Sequence, residues 1–336
     1  MIRDSGLADL HAHLTTSIHP SIYWRIAHSQ GFKLPKKDYH EFLEYVTLSI
    51  NKKTTMKEYF DTIYHPLLNK LSSGTYAVEE GTYEVISGAY RSSGINLIEL
   101  RNNPMKHNHE GQEDLDHIIM AMLRGMERAL LEYPKVSAGI IFCLDRQFTY
   151  EKNKIIVEKA IKYRKRGVIA IDFANYDTGM FHFNEYSDLI EKAVREGLKV
   201  VAHSGETDDT NDMWEAIEFV KPKRIGHGIK AAYDKKLMKE LVKKEIVLEI
   251  CPLSNIATNA VENVDELRFI IRTFIENKVK FCINTDWPEI IKNGKLVEQF
   301  EFLNKHKILD EEELKRYNSI ALTSSFIPGK NLSAYL

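Results

Sequence analysis

The chain has 336 residues, 43% of them hydrophobic and 28% charged, with a formal net charge of -2. This is the composition of a soluble globular protein long enough for one large domain or two average ones. The near-neutral balance argues against the strongly basic face that nucleic-acid binding uses, and no run of about 18 apolar residues is available to span a membrane. Short basic clusters (Lys36-Lys37, Lys52-Lys53, Arg164-Lys165-Arg166, Lys243-Lys244) are flanked by apolar residues at helical spacing and read as solvated helix faces. Cys143, Cys251 and Cys282 lie in apolar, strand-like runs with no CxxC pairing, which suggests buried reduced thiols. With no apolar stretch of signal-peptide length near the N-terminus, a cytoplasmic protein is expected.

Along the chain, short β-rich apolar runs recur at 7–14, 95–101, 136–144, 168–173, 200–203, 224–227, 246–251 and 281–285. Most are nearly continuous Val, Ile, Leu, Phe and Cys, as expected when a parallel sheet is buried on both faces. Amphipathic helical patterns separate them, for example 186–197, where Gly197 reads as a C-terminal cap, and 267–277. Strands alternating with helices in this number predict an α/β fold, a (β/α)8 barrel. An open doubly wound sheet would carry a glycine-rich loop after its first strand, and HAHLTTS is not one. Two segments exceed a minimal barrel: a helical insertion over about 17–93, expected to act as a lid, and a C-terminal helical appendage from about 290 to 336. A single domain over 1–336 is expected.

Chemistry-bearing side chains sit at the predicted strand ends. Alternation along the first strand puts His11 and His13 on one face with Ala12 opposite. His203 ends the fifth strand, and Glu206 follows in the turn. His227 lies between Gly226 and Gly228, and Asp286 follows the eighth strand in INTDWP. Three imidazoles, a carboxylate and two further acid/base groups match what a catalytic divalent metal needs. Zinc lowers the pKa of bound water towards about 7. Glu206 in a partly desolvated pocket suits proton donation, while His227 and Asp286 suit activation of the attacking water. A second HxH, His107-Asn108-His109, lies in a polar, turn-rich stretch and reads as a solvated loop.

The stretches LADLHAHL, LIELRNNP, VIAIDFAN, VVAHSGE, RIGHGI, EICPLSN and INTDWP, in this order over essentially the whole chain, resemble the adenosine deaminase family of the amidohydrolase superfamily. The resemblance implies one zinc ion per chain held by His11, His13, His203 and Asp286, with Glu206 as proton donor and His227 assisting the water. It also implies a small-molecule partner, an amino-heterocycle or nucleoside, with His13 among the substrate contacts. Three substrate-reading positions depart from the family pattern. Thr15 stands where an aspartate approaches the sugar, Asn175 where a glycine offers its backbone amide, and Trp287 where a second aspartate reads the purine. The expected reaction is hydrolytic deamination of adenosine or a related amino-heterocycle. A metal-dependent amide or ester hydrolase on the same barrel, and a non-catalytic nucleoside-binding relative, stay open as alternatives.

Overall fold

The computed structural model describes residues 6–108, 114–176, 181–207 and 209–328. Among these, eight strands form one parallel sheet in sequential order: β1 (Leu7–His13), β2 (Ile95–Asn102), β3 (Ser137–Asp145), β4 (Val168–Ala174), β5 (Lys199–Ser204), β6 (Arg224–His227), β7 (Val247–Ile250) and β8 (Lys280–Ile283). Each agrees with its sequence-based expectation to within two residues. The seam between β8 and β1 closes just beyond β8, where Ala12 bridges Asp286. There Asp286 N donates to His11 O at 2.7 Å and His13 N to Asp286 O at 3.1 Å. The closure of the barrel and the positioning of Asp286 are therefore one event.

Some of the intervening helices start at short polar caps that satisfy their free N–H groups. Thr149 accepts from Lys152 N ahead of Tyr150–Tyr163, and Asn263 accepts from Asp265 N and Glu266 N ahead of Val264–Glu276. The pattern expected over 186–197 forms helix Ser187–Arg195, and Gly197, at φ 94°, turns the chain into β5.

Strict alternation fails in β1. Ala8 and Leu10 pack with Leu97, Val247 and Cys282, yet His11 also faces the site. A register irregularity between Asp9 and Ala12 makes this possible. Asp9 braces it: its Oδ1 accepts from His11 N at 3.2 Å and its Oδ2 from Thr285 Oγ1 at 2.6 Å.

The mid-level of the barrel is charged. Arg101 Nη1 donates to Asp172 Oδ2 and Arg101 Nη2 to Glu249 Oε2, each at 2.7 Å. Arg224 Nε donates to Glu249 Oε1 at 2.6 Å, and its Nη2 donates to Glu99. All five residues are buried. The C-terminal helix Glu311–Ser324 closes the base, with Ala321 and Leu322 in the lower apolar cluster. Beyond it, Ser325 Oγ and Phe326 N donate to Glu99 Oε1 at 2.7 and 2.6 Å, and the Phe326 ring lies over the Arg224 guanidinium.

The expected lid divides into two parts. Helix Thr75–Ser93 packs beside helix Asp116–Glu132 as an ordinary outer helix of the barrel. The segment before it crosses the mouth. There Leu48 N donates to Ile290 O and Lys292 N to Leu48 O, both at 2.8 Å, clasping the insertion to the chain after β8. Phe60–Leu68 is π-helical and contains Pro66, which has no N–H to give.

Removing one partner from a buried ion pair leaves an uncompensated charge, a loss of about 3–5 kcal/mol. Arg101→Met is therefore expected to destabilise the chain by that amount in urea denaturation, because Asp172 loses its guanidinium partner and Glu249 keeps only Arg224.

Candidate active site

At the C-terminal mouth of the barrel, His11, His13, His203, His227, Glu206 and Asp286 converge. The ligand-capable atoms of His11, His13 and Asp286 lie within 4.8 Å of one another, as do those of His11, His203 and His227, and of Glu206, His227 and Asp286. His13 Nε2 is 3.1 Å from His203 Nε2, and Asp286 Oδ1 is 3.5 Å from His11 Nε2 and 3.4 Å from His13 Nε2. The six side chains come from the ends of three strands, β1, β5 and β6, and the segment after β8, so only barrel closure assembles them.

The remaining ring nitrogens separate the histidines. His11 Nδ1 contacts Glu249 Oε2 at 2.7 Å, and His203 Nδ1 lies 3.0 Å from Asp172 Oδ2 without the alignment of a full hydrogen bond. Both carboxylates belong to the charged layer around Arg101. A carboxylate behind a histidine fixes the ring and raises its basicity as a ligand. The inward His11 Nε2 is fully buried and has no hydrogen-bond partner among the described residues. Burial, the main cause, together with Arg101 and neighbouring charged groups, holds all four imidazoles well below their usual pKa. They stand ready as neutral donors. Burial pushes the Asp286 carboxyl up to about 7, against a 2.5 Å bond from Ser254 Oγ to its Oδ2. An orphaned imidazole nitrogen facing a carboxylate oxygen, among neutral imidazoles, is a donor set that fits a divalent cation.

Glu206 and His227 form the other half of the site. His227 Nε2 is 3.4 Å from Glu206 Oε2. His227 and Asp286 have left-handed backbones, φ 60° and 63°, which turn their side chains over the barrel mouth. Gly226 is required for space: a Cβ there would meet His11 Cε1 at 2.9 Å and the His203 backbone at 3.3 Å.

The family model described as adenosine deaminase matches residues 6–335. This chain belongs to the adenosine deaminase family. An adenosine deaminase from Clostridium kluyveri is 29% identical over 326 residues, covering 97% of this chain and 90% of the relative. Among solved structures, an adenine deaminase from Arthrobacter aurescens superposes with a TM-score of 0.85 at 22% identity, covering 98% and 96% of the two chains. A zinc-bound amidohydrolase from Burkhoderia ambifaria does so with a TM-score of 0.83 at 17% identity, covering 99% and 90%. As a member of the adenosine deaminase family, the chain is a hydrolytic deaminase acting on a C–N bond.

The three departures from the family pattern prove unequal. Asn175 adopts φ 79°, the left-handed conformation natural to glycine and tolerated by asparagine. Its side chain is consumed locally, donating from Nδ2 to both oxygens of Asp145 at 3.0 and 3.1 Å and accepting from Tyr176 N at 2.9 Å. Thr15 is buried, with Oγ1 3.4 Å from Ser72 Oγ. Trp287 is buried against the insertion, its ring 5.3 Å from Tyr59 and 5.7 Å from Phe60. The spaces left are small. One cavity of about 50 Å³ lies among His13, Glu206, His227, Phe60 and Trp287, and another of about 60 Å³ lies beside Thr15, Lys106 and Asn175. A larger cleft of about 420 Å³ lies outside the barrel, along helix Thr75–Ser93.

His107 corrects the sequence reading. It is buried, not solvated, with Nδ1 on Ser72 O at 2.8 Å and Nε2 on Asn102 Oδ1 at 2.5 Å, and it ties the base of the insertion to β2. His109 lies outside the described residues. Sequence reasoning missed the supporting residues: Asp172, Glu249 and Arg101 inside apolar runs, and Ser254 and Asn255 in CPLSN. A charge inside a run otherwise buried on both faces was the available signal.

Three substitutions probe this geometry. Gly226→Ala should lower stability by about 1–3 kcal/mol through overpacking against His11, read by thermal denaturation. Asn175→Gly should keep activity within a few-fold of the parent. Asn175→Ala, which strains the left-handed backbone, should cost about 1–2 kcal/mol in the same assay.

Proposed function

We propose that this chain is a mononuclear zinc enzyme that deaminates adenosine or a closely related 6-aminopurine. The observation that carries the reading is the division among the imidazoles. His11 and His203 are backed by carboxylates while their other nitrogens converge with His13 and Asp286. Those four residues are assigned as the metal ligands, one ion per chain. The zinc-bound amidohydrolase of the same fold supports the choice of metal. Three carboxylates (Glu99, Asp172, Glu249) against two guanidinium groups (Arg101, Arg224) leave the barrel interior net negative before Asp286 is added, which favours a divalent cation electrostatically.

When bound, the cation supplies the Lewis acid that makes water nucleophilic near neutral pH. Glu206 donates a proton to the ring nitrogen next to the reacting carbon. His227 and Asp286 orient the attacking water, and water and the aminopurine become the oxo-purine and ammonia. His13, Thr15, Asn175 and Trp287 line the substrate space. Asn175 acts through its backbone amide, because its side chain is engaged by Asp145. Trp287 offers an aromatic face, a stacking surface for a planar ring. A cytoplasmic location belongs to the same reading. It is supported by three buried unpaired cysteines, and among the described residues no helix is long and apolar enough to cross a membrane.

The test is ammonia release from adenosine, adenine and their N6-substituted forms, with metal content measured on the same preparation. The expected result is turnover of at least one aminopurine and close to one zinc per chain. Chelation should abolish turnover and zinc should restore it. Glu206→Gln should lower kcat by about 10²–10⁴-fold with metal retained. Ammonia from no aminopurine, alongside hydrolysis of a simple amide, would move the chain to the amidase reading.

A further inference from the structure

Asn255 is fully buried in the short helix Pro252–Ala257 that follows β7, and its side chain lies between the two acid/base groups of the site. Its Nδ2 is 3.3 Å from Glu206 Oε1 and 3.0 Å from His227 Nδ1, while its Oδ1 has no partner among the described residues. The backbone fixes this placement, with Asn255 N donating to Cys251 O at 2.9 Å and Val261 N donating to Asn255 O at 2.8 Å.

Which end of the amide faces the pair is a chemical question, since oxygen and nitrogen are assigned from the partners they meet. With Glu206 ionised until it takes up a proton during the reaction, its oxygen accepts and does not donate, so the NH₂ end belongs there. The same NH₂ group then faces His227 Nδ1, and a second N–H cannot point back at it. Nδ1 must therefore carry a lone pair, and the single proton of the neutral ring must sit on Nε2, 3.4 Å from Glu206 Oε2.

We infer that Asn255 is a positioning residue that locks His227 in its Nε2–H tautomer and holds Glu206 beside it, so that His227 meets the reacting oxygen as a hydrogen-bond donor. A ring in that state has no free basic nitrogen on the substrate side. It stabilises negative charge growing on oxygen and does not remove a proton from water, which leaves proton acceptance to the carboxylates. The inference rests on the proposed deamination only for this last consequence. The tautomer is a property of the folded protein.

The decisive experiment is ¹⁵N NMR on histidine-labelled, zinc-loaded wild-type protein, with the His227 resonances assigned by loss in His227→Gln. The expected result is protonated Nε2 and unprotonated Nδ1 at neutral pH. Asn255→Leu, close in size but without the donor, should give a mixture of tautomers and lower kcat by about 10-fold or more while KM changes less than threefold. Its melting temperature, read in parallel, reports whether it folds. A wild-type His227 protonated on Nδ1 would overturn the inference. So would a folded Asn255→Leu variant that loses kcat with its tautomer unchanged, since Asn255 would then act through packing alone. If Asn255→Leu does not fold, the wild-type tautomer still decides the matter. If the tautomer is as inferred but no aminopurine is deaminated, the functional reading fails and the role of Asn255 stands.

Discussion

The site depends on a buried ladder of charges running through the barrel: Asp172, Arg101, Glu249, Arg224 and Glu99, linked in that order. Isolated, each charge would be prohibitively costly at this depth; paired at about 2.7 Å, they satisfy one another. The upper end of the ladder holds His203 through Asp172 and His11 through Glu249. The lower end holds the end of the C-terminal helix and the residues after it, through Arg224 and Ser324, Glu99 and Ser325, and Glu99 and Phe326. A segment at the closed base is thus joined, by a continuous chain of ion pairs and close polar contacts, to two imidazoles of the candidate site.

The second constraint is the seam of the barrel. β8 ends at Ile283, and the polypeptide completes the circle with Asp286, whose backbone pairs with β1 on both sides of Ala12. Asp9 supports the seam from outside by bonding to His11 N and to Thr285. The same few residues close the sheet, bend β1 so that two successive residues, Leu10 and His11, can face the interior, and aim a carboxylate at the imidazoles. The left-handed backbones at Asn175, His227 and Asp286 lie at this mouth, where strained conformations are held by the surrounding packing.

On the substrate side the structure redistributes the differences from the family pattern. Asn175 keeps the backbone conformation a glycine would adopt and spends its side chain on Asp145, so it changes little in what a ligand meets. Trp287 changes more. It stacks with the insertion, and the aromatic residues Tyr59, Phe60 and Trp287 together form the roof above Glu206 and His227. On the proposed function, specificity would be set where the insertion meets the segment after β8. The contacts of Leu48 with Ile290 and Lys292 couple any opening of that roof to the strand end that carries Asp286.

The sequence by itself determined the eight strands, because runs buried on both faces are written almost entirely in Val, Ile, Leu and Phe. It also singled out the six side chains that converge at the barrel mouth, because each stands where an apolar run stops. What it could not convey was partnership across the barrel. Glu99, Arg101, Asp172, Arg224 and Glu249 are single charges inside apolar runs, and nothing along the chain says that they neutralise one another over separations as large as 148 residues. His107 looked solvated because its neighbours in sequence are polar, whereas its neighbours in space are Ser72 and Asn102. Asn255 carried no periodic signal at all; its meaning comes from lying between Glu206 and His227. Periodicity and strand ends are local properties and survive in one dimension. The pairing of buried charges, the tautomer of a ring and the sealing of a barrel seam are set by contacts between distant segments, so only the tertiary structure decided them.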